Sequence, residues 1–247
     1  VAEERARGNP RGEGATPAAG PRAEGILRAF FALELCEPAR RAAGGIIREL
    51  RSRPCGDELR WVRAESLHVT LRFLGRTAQS QVPELVRHVA SQLAAVPPFV
   101  LDLGEVRAFP SRRPRVVALD LVPETPVRHL ARAVDAGVVA AGFEPERRPF
   151  RGHVTLGRAQ SFRAGRTRPG RIPSLEGLAS RLPTPFAVRE VVLFESHLGA
   201  DGSVYTPVRQ IALGGEAAAD VTSQSQVHPD SGIPEETRHG HDDRHTR

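Results

Sequence analysis

Residues 66–74 read SLHVTLRFL and residues 153–158 read HVTLGR, so the tetrapeptide His-Val-Thr-Leu stands twice in the chain. With 9 His and 11 Thr in 247 residues, chance supplies only about 0.4 His-x-Thr triplets, and one copy alone carries no weight. Two identical copies are another matter. Each alternates with the period of a β-strand, which puts His and Thr on one face and Val and Leu on the other. In the first copy the alternation runs further, with Leu67, Val69, Leu71 and Phe73 opposing His68, Thr70 and Arg72. The expectation is two half-buried strands, each turning an apolar face to a core and a polar, cationic stripe outward.

Working outward, residues 26–35 (ILRAFFALEL) predict a buried strand broken only by Arg28 and Glu34, and Pro38 ahead of RRAAGGIIREL predicts a helix with proline in its first turn. After the first motif Val82, Leu85, Val86, Val89 and Leu93 recur at helical spacing. Residues 99–103 and 115–121 are short β-rich runs joined by the turn RAFPSRRP, and residues 125–141 predict a helix with Val127, Leu130, Ala131, Val134 and Val138 on one face. The second motif leads into an Arg-, Gly- and Pro-rich loop over 159–173, placed to touch substrate. Residues 186–195 and 203–213 predict closing strands of a hairpin around Gly199-Ala200-Asp201-Gly202. The sum is an α+β chain in two halves, each with one HVTL strand, and a pseudo-twofold arrangement follows. The domain is expected over 26–213. Residues 1–25 and 214–247 are rich in Gly, Pro, Ala and polar groups and predict disordered tails.

All 35 basic residues are arginine, and the segment 26–213 holds 28 of them against 18 carboxylates, a net charge of +10. Arginine presents a planar fork suited to bidentate phosphate contacts, so phosphate-bearing or nucleic-acid partners are favoured. Cys36 and Cys55 make no disulfide framework and lack zinc-site companions, which points to a reducing compartment. No apolar run reaches the roughly 20 residues that span a bilayer, and the N-terminal stretch has no apolar region behind its basic residues; a cytoplasmic location is expected. Without lysine no P-loop of the form GxxxxGK[ST] exists, so ATP dependence is not expected.

Two His-x-Thr stripes brought together in a basic cleft supply what metal-free phosphodiester chemistry requires. One imidazole takes a proton from the attacking water while the other protonates the departing sugar oxygen, and histidine serves either role near neutral pH. The two threonine hydroxyls donate to non-bridging phosphate oxygens. A metal site fits less well, since two histidines on separate strands give only two ligands. His88 and His129 fall in predicted helices as surface residues, and the C-terminal HGHDDRH tract reads as a solvated tail. Spacing does not say which histidine is acid and which is base.

The paired motifs, together with RAFFALEL, WVRAESLHVTLRFLG, FPSRRPRVVALDL, RRPFRGHVTLGR and VVLFESHLGADGSVYTPV, resemble the RNA 2′,3′-cyclic phosphodiesterases, also called the RNA 2′-5′ ligase family, among the two-histidine phosphoesterases. The resemblance covers residues 26–213. It implies a bilobal α+β fold with two antiparallel sheets lining a central cleft and helices outside, hydrolysing a terminal 2′,3′-cyclic phosphate to a 2′-phosphate with no metal and no cofactor. By the same resemblance His68 matches the proton donor, His153 the proton acceptor, and Thr70 and Thr155 the phosphate-binding threonines. Arg158 matches an arginine that reaches phosphate or base, and Phe30 or Phe31 an aromatic contact to the base, although one of two neighbours on a strand must face inward. Gly152 stands where the family usually has proline. The implied partner is an RNA end, with the protein a monomer. Reversible 2′-5′ ligation of tRNA halves, or binding of RNA ends without catalysis, are the alternatives.

Overall fold

The chain forms β1 (Ile26–Glu34), α1 (Glu37–Ser52), β2 (Leu59–Trp61), β3 (His68–Ala78), α2 (Val82–Leu93), β4 (Phe99–Phe109), β5 (Val116–Val122), α3 (Glu124–Ala140), β6 (His153–Ala159), β7 (Leu182–Val188), β8 (Glu190–Gly199) and β9 (Gly202–Ala212). These come from a computed structural model that describes residues 25–110, 112–160, 171–178, 182–199 and 202–214. The expected tails and most of the expected basic loop lie outside the described residues.

The helices follow their apolar stripes. In α1, Ala39, Ala43, Ile46, Ile47 and Leu50 are buried behind Pro38 in the first turn. In α2 the buried set is Val82, Leu85, Val89 and Leu93, and in α3 it includes Val127, Leu130, Ala131, Val134 and Val138. Helices α2 and α3 cross closely at Gly137, where a Cβ would stand 2.6 Å from the Cα of Val89.

All strand pairings are antiparallel, in the order β7-β4-β5-β6-β3-β1-β8-β9 with β2 added on β6. The fold is α+β, with the strands of each half grouped together. Strands β3, β1, β8 and β9 form one half and β7, β4, β5 and β6 the other. The two expected sheets are joined edge to edge at one register pair, Val69 with Val154, which lies at the second residue of both motifs. Helix placement ties the halves further: α1, which follows β1, packs on β6 and β7 of the other half, while α3, which follows β5, packs on β3.

The expected single strand over 186–195 is corrected to two. β7 ends at Val188 and pairs with β4, whereas β8 begins at Glu190 and pairs with β1 near the opposite end of the strand order. Only Arg189 separates them, so the sheet curls to bring its ends together, and Arg189 spends its carbonyl on the Leu213 N–H at 2.7 Å. Strand β2 is not legible from LRW alone; three residues give no periodicity to read.

The expected polar stripe on β3 is corrected as well. Register breaks place Leu71 and Leu74 as extra residues against β1, so that Thr70 faces Ala32, Arg72 faces Phe31 and Phe73 faces Phe30. Each bulge inverts the alternation. Arg72 therefore leaves the open face for the helix side, where its Nε donates to Asp135 on α3 at 2.7 Å, and Phe73 takes its place on the open face. The core lies on the helix side and holds Phe31, Leu33, Val69, Leu71, Val154 and Leu156 with the helix stripes. A smaller cluster of Phe30, Ala32, Val192 and Phe194 lies on the open face, with Tyr205 packed against it.

Candidate active site

Both motif histidines open their strands, and each is held the same way. His68 Nδ1 lies 2.8 Å from the carbonyl of Ser66, and His153 Nδ1 lies 2.8 Å from the carbonyl of Arg151, in each case two residues back. A carbonyl only accepts, so Nδ1 carries the proton in both rings and each Nε2 is left to exchange one. His68 Nε2 meets the Thr70 hydroxyl at 3.0 Å. Since residues 69 and 154 are paired and antiparallel, each motif's His lies beside the other motif's Thr across the junction.

These four side chains line one cavity of about 430 Å³ that spans the two halves. Arg158 lines it too. On β6, Val117 pairs with Gly157 and Ala118 with Thr155, so Leu156 is extra, as Leu71 is on β3. That bulge returns Arg158, five residues past His153, to the face of His153 and Thr155.

Of the two expected aromatics, Phe30 faces the cavity and Phe31 does not: Phe31 is fully buried in the main core on the far side of the sheet, as strand alternation requires of one neighbour. Phe30 lies tilted against the His68 ring at 5.1 Å between centroids, yet it is itself covered, leaving little ring open to a ligand. Phe73 is 60% exposed on the cavity wall, 5.9 Å from Phe30. Tyr205, the only tyrosine, sets its ring edge-on to His68 at 4.9 Å, and Phe109 does the same for His153 at 5.1 Å. Sequence reasoning missed Phe73, Tyr205 and Phe109. Alternation within β9 puts Ser203 and Tyr205 on one face, but only the order β9-β8-β1-β3 tells which histidine they meet.

Burial pushes the His68 imidazole below the usual histidine range, and the positive charges of His153 and Arg158 act the same way against the Ser66 carbonyl. Burial also lowers His153; Arg158 and Arg151 add to the depression, while the Arg151 carbonyl and Asp120, its cross-strand partner, oppose it. Two imidazoles beside a guanidinium, each with its Nε2 turned to the cavity, are poised for proton exchange around an anion. His88 sits on α2 with Glu84, away from this site, and among the described residues no three His, Cys, Asp or Glu side chains group as metal ligands. No helix among them is long and apolar enough to cross a membrane.

Gly152, ahead of the second motif, packs where a Cβ would stand 3.3 Å from Leu121 and 3.4 Å from Phe150.

Known proteins share this fold. The crystal structure of TT0787 of Thermus thermophilus aligns with a TM-score of 0.61 at 27% identity, covering 77% of this chain and 100% of that one. The apo crystal structure of Escherichia coli LigT aligns at 0.57 with 28% identity, covering 77% and 99%. The RNA 2′,3′-cyclic phosphodiesterase of Methanothermobacter thermautotrophicus is 29% identical over 189 residues, 76% of this chain and 99% of its own length. The family model described as the 2′-5′ RNA ligase superfamily matches residues 37–200, from α1 through both motifs to the end of β8. With both histidine strands inside that span, the chain belongs to the 2′-5′ RNA ligase superfamily.

Proposed function

We propose that the protein is an RNA 2′,3′-cyclic phosphodiesterase that opens the terminal cyclic phosphate to a 2′-phosphate by two-histidine acid-base catalysis. The observation that carries this is the pair of Nε2 atoms, each freed by an Nδ1 hydrogen bond to a carbonyl two residues back, facing one arginine-bearing cavity. Relatives bearing that enzyme name support the reaction class.

In the reaction His153 Nε2 accepts a proton from water as its oxygen attacks phosphorus. The P–O3′ bond breaks, and His68 Nε2 gives its proton to the departing 3′-oxygen. The product carries a 2′-phosphate and a 3′-hydroxyl, with His153 protonated and His68 neutral until solvent resets both. Assignment of acid and base follows the match of positions, since the two rings are held alike. Thr70 and Thr155 donate to the non-bridging oxygens, and Arg158 balances the charge that gathers there. Both proton transfers are accounted for by imidazoles, so no step is assigned to a metal or cofactor. The basic segment recruits the RNA end, and Phe73 offers the terminal base its open ring. On this reading the protein works as a monomer in the cytoplasm.

The test is incubation of chelator-treated protein with an oligoribonucleotide ending in a 2′,3′-cyclic phosphate, beside His68→Ala and His153→Ala. Conversion to a 2′-phosphate that both variants lose is expected. An intact cyclic phosphate across pH 5 to 9 with RNA still bound would turn the reading toward end binding or ligation.

A further inference from the structure

Two hollows flank the catalytic cavity, and their charge differs. The one beside His153 is lined by Glu105, Asp120 and Glu124 against Arg107 and Arg151, and its charges are already engaged: Arg107 pairs with Asp120 and with Glu105 at 3.0 Å, and Arg151 reaches Asp120 at 3.9 Å. A polyanion gains little there.

The other hollow, about 180 Å³, lies beyond Tyr205 and has no acidic lining residue among the described residues; its charged residues are Arg60, Arg63 and Arg158. It shares Ser66, Arg158, Ser203 and Tyr205 with the catalytic cavity, so the two open into one another. Arg60 and Arg158 are direct register partners across β2 and β6. Register partners on antiparallel strands project from one face, so a single anion can meet both guanidiniums. Arg158 and Arg63 form no ion pair among the described residues. The arrangement is built firmly. Trp61 donates its indole N–H to the Gly56 carbonyl at 2.7 Å and lies on Gly157, where a Cβ would stand 2.7 Å from the ring, so β2 is pinned to β6 with its arginine facing Arg158.

We propose that Arg60 and Arg63, with Arg158 as the shared wall, form a second phosphate subsite that takes the phosphodiester on the 5′ side of the reacting nucleotide and selects RNA ends over cyclic mononucleotides. The proposal rests on the function given above and names its substrate class more narrowly. Arg158 then serves two phosphates, and the chain of the RNA leaves past Tyr205 rather than along the hollow beside His153.

The experiment compares kcat/KM for a diribonucleotide ending in a 2′,3′-cyclic phosphate with kcat/KM for the cyclic mononucleotide of the same base. Arg60→Ser and Arg63→Ser should each lower that ratio about tenfold, the worth of a charge-assisted hydrogen bond, and Arg60→Lys should restore part of it. The dependence of log kcat/KM for the dinucleotide on log salt should flatten by roughly 0.7 for each phosphate that goes unneutralised. An unchanged ratio, whether neither substrate or both lose equally, overturns the subsite. Binding of the 2′-phosphorylated dinucleotide and of the 2′-phosphorylated nucleoside is measured in parallel. If the wild type hydrolyses neither cyclic substrate but its preference for the dinucleotide falls in the serine variants, the activity is wrong and the subsite stands; if that preference is absent, the subsite is wrong too.

Discussion

Phe73 and Arg158 occupy equivalent places in the two halves. Each lies five residues after its motif's histidine, and each is turned back to the cavity by a bulge at its motif's leucine, Leu71 on β3 and Leu156 on β6. An odd offset on an unbroken strand would point both away from the histidines. The repeat therefore extends beyond four letters to a shared strand shape, and it places an aromatic ring at one end of the cavity and a guanidinium at the other. The halves present the same pair of reacting groups and different recognition groups.

Phe73→Ala should weaken the hold on the terminal base without touching the reacting groups. Stacking of a base on an aromatic ring is worth about 1–3 kcal/mol, so KM should rise by roughly 5- to 150-fold with kcat nearly unchanged, the pattern of lost uniform binding. Steady-state kinetics on the oligonucleotide check this. A fall in kcat at constant KM would give Phe73 a part in holding His68 through Phe30 instead.

Arg158→Gln should move the pH dependence as well as the rate. Both imidazoles lie below the usual histidine range in the free protein, so the kcat/KM profile should be a bell centred on the acid side of pH 6.5. The Arg158 charge depresses both rings, and removing it raises both, which shifts the whole bell toward alkaline pH while lowering its height. A lower bell at the same position would mean that Arg158 acts on substrate alone.

The paired strands, their inward Val and Leu residues, the flanking helices and the α+β class are legible because alternation and helical spacing are local properties. What is not legible depends on register. Nothing in SLHVTLRFL says that Leu71 and Leu74 have no partner residue on β1, so alternation alone puts Arg72 on the cavity face and Phe73 on the core face. Residues 186–195 are apolar enough for one strand, and only pairing with β4 on one side of Arg189 and β1 on the other divides them. Phe30 and Phe31 cannot be told apart until the core side of β1 is known. Arg158 comes from likeness to a family, since period-two reasoning places it on the wrong face.

The Arg72 side chain should contribute to stability through its bridge to α3. It is only 11% exposed, donates to Asp135 at 2.7 Å and to the Phe73 carbonyl at 2.7 Å, bonds the Glu144 carbonyl, and lies 3.6 Å from Glu146. Arg72→Met strips a half-buried carboxylate of its cation and should cost about 2 kcal/mol, below the roughly 3–5 expected for full burial. For a domain of this size that is a fall in Tm of about 4–8 °C. Arg72→Met combined with Asp135→Asn should lose less than the two single changes together, by about 0.5–3 kcal/mol of coupling. Strict additivity in the melting data would show that the pair does not act as one.

Thr77→Val should stabilise the protein. Thr77 is fully buried on β3 opposite Leu27, and its Oγ1 has no hydrogen-bond partner among the described residues. A hydroxyl buried without a partner costs about 1–3 kcal/mol by mutational measure, and valine keeps the branched shape that suits a strand while removing that cost. With about 2–4 °C of Tm for each kcal/mol at this size, Tm should rise by several degrees. Thr77→Ser is the control: it keeps the orphan hydroxyl, deletes a buried methyl and should melt below the wild type. The order Val above Thr above Ser in thermal melts is the expected result. Valine melting below threonine would mean that the hydroxyl is satisfied in solution, and the site would then hold a buried water.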